Sequence, residues 1–307
     1  MSKMRTAILK IVGFLGLIIF MDFAVGKAFE KFYFSTTACK NEKLIHSLMT
    51  SDEDVLFFGS SRAQHHYVPD VFKDSLQMSC FNNGLGGQNI YFHKAILEST
   101  LTRYTPKVIL LDLFSIDFEK TDADHDKARL TVFLPFSHVN TAARNTVLMM
   151  GWQERIKLLS KSYPFNSTFY KALRNNYFPV KAEASGYIPI HKLWNRDIEN
   201  ENRTLASFDD AKVRSLISFI DLAKAKFCKV IIVISPSYSL LAAEDNYKRM
   251  AALIKDRTGT DVWDYRTDSD FLNHRELFAD VLHLNETGAR FFSGKIAHRI
   301  KVEVLSK

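Results

Sequence analysis

The longest apolar pattern in the chain is also the first. From Ile11 to Phe20 nearly every position is hydrophobic, Met21, Phe23, Ala24 and Val25 carry the run past Asp22, and Lys3, Arg5 and Lys10 stand in or before it. The stretch from Ala7 to Gly26 is apolar on all sides rather than along one stripe, and it approaches the roughly 20 residues that cross a bilayer as a helix. The leading cations would keep its start in the cytoplasm. Residues 1–26 are therefore expected to be a signal anchor with the rest of the chain outside. A cleaved signal peptide is the rival reading, since Ala24, Val25 and Gly26 could pass as a small-residue cleavage site. Residues 27–50 read as a juxtamembrane connector, aromatic and charged from Lys27 to Lys43, with a helix around Glu42 to Met49.

From residue 51 the pattern changes to short apolar runs. Val55–Phe58, Val108–Leu113 and Val230–Ile234 are each followed by polar or turn residues and predict buried parallel strands. Met78–Phe81 and Asp261–Tyr265 are weaker strand candidates. Ile90–Arg103, Phe208–Phe227, Asp245–Arg257 and Glu286–Val302 space their apolar residues as helices do. Strands alternating with helices predict a doubly wound α/β domain over residues 51–307.

Residues 118–205 break that rhythm and read as an insertion completing the domain, with Pro135, Pro164, Pro179 and Pro189 in it. Basic Arg155, Lys157, Lys161, Lys171, Arg174, Lys181, Lys192 and Arg196 are interleaved there with Trp152, Tyr163, Phe169, Tyr170, Tyr177 and Trp194. That mix suits a glycan or anionic polymer, and equally a solvated face over a small aromatic core.

Composition adds limits. A chain of 307 residues, 47% hydrophobic, can bury a full core. Its net charge of +7 fits contact with an anionic surface, whether lipid, wall polymer or nucleic acid, but no nucleic-acid motif is present. Cys39, Cys80 and Cys228 have neither metal-ligand nor disulfide-framework spacing. Cys80 and Cys228 flank apolar runs and are expected to be buried, whereas Cys39 sits in a polar stretch.

Two short segments carry the candidate chemistry. Gly59-Ser60-Ser61-Arg62 follows the first predicted strand, where an open α/β sheet presents side chains at its carboxyl edge. Asp280-Val281-Leu282-His283-Leu284-Asn285 precedes the last predicted helix, and an acid three residues before a histidine can fold back to orient the imidazole. Asn285 is placed to cap that helix. Alone, each segment is more often a turn or a cap than a site.

Together they resemble the first and last blocks of the SGNH/GDSL hydrolases. The resemblance implies that Ser61 is the nucleophile, His283 the general base and Asp280 its orienter. Ser61 is preferred because Ser60 stands where the family's Gly-Asp-Ser has its aspartate. Phe81-Asn82-Asn83-Gly84-Leu85-Gly86-Gly87 looks like the family's strand-end Asn-x-x-x-x-Gly block. It implies that the backbone N–H groups of Gly87 and Ser61 receive the oxyanion. The family's Gly-x-Asn-Asp is replaced by Asp112-Leu113-Phe114-Ser115-Ile116-Asp117, so its asparagine donor is missing; Ser115 is the substitute, and Ser60 and Arg62 are the other candidates to line the site.

The matching pieces span Asp54–Leu113 and Phe208–Val302, about half the chain. They imply a three-layer α/β/α sandwich, flavodoxin-like, with a mainly parallel five-stranded sheet and no metal or organic cofactor. Gly-Ser-Ser-Arg behind an N-terminal anchor is similar to alginate O-acetyltransferases and the teichoic acid D-alanyl transfer protein. That similarity implies a single-pass protein of the bacterial cytoplasmic membrane, its domain facing the periplasm or exterior. The implied partners are a cell-surface polysaccharide or other acyl acceptor and a membrane-bound acyltransferase that such relatives can work beside, with no nucleic acid. The expected activity is that of a serine esterase or O-acyltransferase; the alternative, prompted by the missing asparagine, is a non-catalytic envelope assembly or polymer-binding protein.

Overall fold

In the computed structural model, residues 3–35, 39–120, 122–166, 168–177, 184–195, 207–238 and 244–306 are described. Pro179, Lys181 and Arg196, and the side chains of Cys39 and Lys171, lie outside the described set. Five strands, β1 (Val55–Phe58), β2 (Cys80–Asn82), β3 (Val108–Asp112), β4 (Lys229–Ile234) and β5 (Val262–Asp264), form one sheet in the order β2-β1-β3-β4-β5. Every neighbouring pair is parallel, with Val55 opposite Cys80 and Val108, Val108 opposite Lys229, and Ile232 opposite Val262.

The apolar runs are continuous because the sheet is covered on both faces. Val55 and Phe57 point into a core with Tyr67, Phe72 and Phe292, Phe57 lying 4.5 Å from the Phe72 ring. On this side pack α2 (Ser61–His66), α3 (Pro69–Leu76) and, from the end of the chain, the helix Glu286–Arg299. On the opposite face Phe58 meets Phe219 edge-on at 5.3 Å, where α4 (Ile90–Leu101) and α5 (Asp210–Ala225) pack together. Burying each such side chain stabilises the fold by about 1.5–3 kcal/mol. β2 and β5 are the two edge strands, and Asp264 on β5 is exposed. Cys80 and Cys228 are buried and free.

The chain divides into two compact units, one of Met1–Ile45 with Leu130–Ala182, the other of His46–Arg129 with Glu183–Lys307. The sheet belongs to the second. The first is organised around α1, a helix of 32 residues (Lys3–Phe34) long and apolar enough to cross a membrane.

Side chains from Met4 to Phe23 on α1 are largely exposed, and burial begins beyond them at Gly26 and Tyr33. The helix does not stop at Gly26. Lys27–Phe34, polar enough in sequence to read as a connector, stays helical because Phe136, Phe165 and Phe169 supply its apolar partners. Phe29 stacks on Phe169 with centroids 4.1 Å apart, and Tyr33 meets Phe136 at 5.8 Å and Phe165 at 5.9 Å.

Candidate active site

β1 ends at Phe58, and Gly59 turns the chain into α2. Its φ is +136°, and a Cβ there would meet Ala63 Cβ at 2.8 Å and the Asp112 carbonyl at 2.9 Å, so glycine is required. Ser60 then takes the N-cap position and Ser61 the first helical position. The first N–H groups of a helix have no acceptor within it. The turn lies at the carboxyl edge where strand order reverses between β1 and β3, the place where doubly wound sheets bind their ligands.

The second component arrives from the far end of the chain. Phe278 and Leu284 pair as an antiparallel bridge, and the Ala279 N–H donates to the His283 carbonyl at 2.8 Å, closing a tight loop over residues 279–283. Asp280 sits at its start with Oδ1 accepting from the backbone N–H groups of Leu282 (2.8 Å) and His283 (3.0 Å). His283 Nδ1 lies 3.0 Å from both carboxylate oxygens of Asp280. An ionised carboxylate only accepts, so Nδ1 carries the proton and Nε2 is left as an acceptor. Ser61 Oγ is 2.7 Å from that Nε2. Burial acts to raise the Asp280 pKa, but the hydrogen bonds from His283 and the loop backbone outweigh it and hold the carboxyl below its usual 3.8.

Two further histidines join this cluster without any signal in the sequence. His66, fully buried on α2, accepts the Leu284 N–H at Nε2 (3.0 Å), so its own proton is on Nδ1, which reaches Ser235 Oγ at the end of β4 (3.0 Å). Burial, and then the neighbouring His283, Arg62 and His65, push its pKa well below 6.5 and keep it neutral. His65, one helical turn after Ser61, donates from Nδ1 to the Ile188 carbonyl at 2.7 Å, and its ring stands perpendicular to His283 at 5.7 Å. Asn285 secures the loop from below, capping Gly288 N–H at 3.0 Å while its amide donates to the Glu276 carbonyl at 2.6 Å.

The Gly-rich turn after β2 lies beside Ser61, since a Cβ placed on Gly86 would sit 3.5 Å from Ser61 Cβ. Gly86 N–H is committed to Gln64 Oε1 at 2.7 Å. Gly87, at φ +76°, has open space where a side chain would be, and its N–H makes no hydrogen bond among the described residues.

The remaining candidates are placed differently from one another. Arg62 does not face the open site: it is 1% exposed and turned beneath α2. Its Nε and Nη2 donate to Asp112 Oδ1 at 3.0 and 2.7 Å, Nη2 also to the Leu113 carbonyl, and Tyr67 donates to Asp112 Oδ2 at 2.7 Å. Burial works against its charge, but the Asp112 carboxylate more than compensates and raises the Arg62 pKa. Ser60 is buried, and its hydroxyl opposes the burial that pushes the Asp117 carboxyl up to about 6. Ser115 is buried with its Oγ unpartnered at the start of the turn after β3.

Residues 184–195, read from sequence as the tail of the insertion, form a rim over this edge. The Ile188 N–H donates to the Gln64 carbonyl (3.2 Å), the Trp194 N–H to Phe278 (3.1 Å) and the Glu286 N–H to Ile190 (2.9 Å). Among the described residues no three His, Cys, Asp or Glu side chains converge in a cluster that could hold a metal. The assembled geometry is a hydroxyl aimed at a base whose other nitrogen is fixed by an acid, beside a free backbone N–H. It can activate an oxygen nucleophile and receive developing negative charge.

No protein-family model matches the chain, and no curated protein matches it. Similar solved structures include an acetyl xylan esterase, at 15% identity and a TM-score of 0.42, covering 81% of this chain and 98% of that one. A Streptococcus pneumonia structure provisionally described as a platelet activating factor shares 11% identity over 95% of this chain and 99% of its own, with a TM-score of 0.44. A Bacteroides fragilis structure provisionally described as an acylhydrolase shares 14% identity over 85% of this chain and 94% of its own, with a TM-score of 0.39. At these identities and TM-scores none of them assigns a reaction to this chain.

Proposed function

We propose that this chain is a membrane-anchored serine esterase or O-acyltransferase of the SGNH type, acting on acyl esters of a cell-envelope polysaccharide. The observation that carries the reading is the unbroken relay from Ser61 Oγ through His283 to Asp280, with contacts of 2.7 and 3.0 Å. Three residues separated by up to 222 positions in sequence meet in the order and tautomer that nucleophilic catalysis needs.

In the proposed reaction Ser61 Oγ attacks the ester carbonyl as its proton passes to His283 Nε2. Asp280 stabilises the imidazolium without taking the proton. The backbone N–H groups of Ser61 and Gly87 donate to the oxyanion. Collapse of the tetrahedral intermediate breaks the ester C–O bond, and His283 returns the proton to the leaving alkoxide. Water or a sugar hydroxyl then attacks the acyl-enzyme, its proton passing to His283 and back to Ser61.

Anchoring is supported by the exposed apolar length of α1 and by Lys3, Arg5 and Lys10 near its start. Retention of the anchor is supported by Asp22, whose carboxylate accepts from Ser160 Oγ (2.6 Å), Lys161 N–H (2.7 Å) and both N–H and Oγ of Ser162 (3.2 and 2.6 Å). Cleavage after Gly26 would remove that carboxylate and leave its donors unpaired. The proposed site of action is the outer side of a bacterial cytoplasmic membrane, beside a membrane-bound acyltransferase.

The test is turnover of an acetyl ester by the full-length protein in detergent, with released acid and acylated polysaccharide measured together. Loss of both products in S61A and H283A is expected, and their partition distinguishes esterase from transferase. Turnover surviving in S61A would overturn the reading.

A further inference from the structure

Within the unit built on α1, residues 149–161 carry an apolar stripe that none of the unit's described residues covers. Trp152, Ile156 and Leu159 are 68%, 59% and 81% exposed, and their spacing of four and three places them on one helical face. The segment is helical over Gln153–Lys157, with turns at both ends. Its opposite face is inward: Glu154 and Leu158 are each 4% exposed, and Glu154 accepts from Tyr163 Oη at 2.7 Å. The outward apolar face is therefore held in a fixed orientation. Clustered exposure of this kind on an ordered element marks an interaction surface.

Its position on α1 identifies the partner. The stripe ends at Leu159, and the next three residues, Ser160–Lys161–Ser162, grip Asp22. Gly26, one turn further, has no side chain, which admits the Lys161 backbone; a Cβ there would lie 2.4 Å from the Lys161 carbonyl carbon. The stripe is thus pinned where α1 passes from exposed (Phe23, 50%) to buried (Gly26). The exposed length from Met4 to Phe23 is about 30 Å at 1.5 Å per residue, which matches the hydrocarbon core of a bilayer. Arg155 is exposed between stripe positions, whereas Lys157 Nζ is turned back onto the Glu154 carboxylate at 2.7 Å.

We infer that residues 149–161 lie on the outer membrane interface beside α1, with Trp152, Ile156 and Leu159 entering the headgroup–acyl boundary and Arg155 facing anionic headgroups. The inference rests on α1 spanning the membrane. An apolar face with a tryptophan and a flanking cation is the composition of an interfacial helix, and here it is tied to the span through the Asp22 clasp. The anchor then becomes a two-point attachment that restrains this unit against the bilayer.

The test uses full-length protein in vesicles of phosphatidylglycerol and phosphatidylcholine, with and without lipids bearing a nitroxide high on the acyl chain. Tryptophan emission is expected to fall in the nitroxide vesicles, with the fall lost in W152F and diminished in I156D/L159D. All three substituted positions are exposed, so the fold is retained. An equal fall in native protein and W152F, with the chain still resisting carbonate extraction, overturns the interfacial segment and leaves the anchor standing. Release of the chain by carbonate overturns the anchor and the interfacial segment together.

Discussion

The Leu284 backbone N–H donates to His66 Nε2 at 3.0 Å, so the loop that presents Asp280 and His283 hangs directly from the helix that presents Ser61. The proposed nucleophile and base are thereby set against each other by one buried hydrogen bond, extended to β4 through Ser235. His66 is a positioning residue: it touches no reacting atom in the proposed mechanism. Replacing it with Phe should lower kcat on the order of 10²-fold, since small misplacements of reacting groups have that scale, with little change in KM. H66Q, whose amide oxygen can reach the same N–H, should recover most of the loss. Equal kcat in H66F and native protein would remove His66 from this role.

The same residue makes stability depend on pH. Folded His66 stays neutral well below the 6.5 at which the unfolded chain takes up a proton. Above that value both states are neutral and the group contributes no pH dependence; as pH falls below it the unfolded state binds the extra proton and stability is lost. The Asp117 carboxyl, raised to about 6, acts with opposite sign over part of this range. The measurement is therefore the difference in Tm between native protein and H66Q from pH 8 to 5, expected to be flat above 6.5 and to move against the native protein below it.

Arg62 and Asp112 fasten the start of α2 to the end of β3, with side chains each 1% exposed. Removing one member of a buried pair leaves an uncompensated charge and typically costs about 3–5 kcal/mol. R62M and D112N should each show that loss in denaturant unfolding, and the double variant less than the sum of the two. Additive losses would mean that the pair is not coupled.

Much of the sheet was legible because its strands are short, uninterrupted apolar runs buried on both faces, as at Val55–Phe58 and Val108–Asp112. Ser61, Asp280 and His283 were legible as candidates because each occupies a motif with fixed spacing. What stayed hidden depends on partners remote in sequence. His65 and His66 sit on a six-residue helix with no periodic signal, and their contacts lie 123 and 169 residues away. Arg62 reads as a polar site residue until Asp112 is seen 50 residues on. Lys27–Phe34 reads as a connector until Phe136, Phe165 and Phe169 are packed against it.

Asp280 accepts hydrogen bonds from the imidazole Nδ1–H and from two backbone N–H groups, so it sets the tautomer of His283 and the shape of the loop. Asparagine can keep the loop, yet its amide can present a donor to Nδ1 and so favour the wrong tautomer. D280N should retain its native Tm within a few degrees and lose on the order of 10³–10⁴-fold in kcat for ester cleavage. A kcat within a few fold of native would mean that Asp280 does not orient the base.

The most direct measurement of an activated Ser61 is the intact mass of the full-length protein after treatment with an alkylphosphonate serine probe, with S61A and H283A treated alongside. The account predicts one phosphonyl adduct on the native chain, none on S61A, and labelling of H283A slowed to the background rate. An unmodified native chain, folded by circular dichroism and exposed to a probe that labels a control esterase, would contradict it. So would an adduct that persists in S61A.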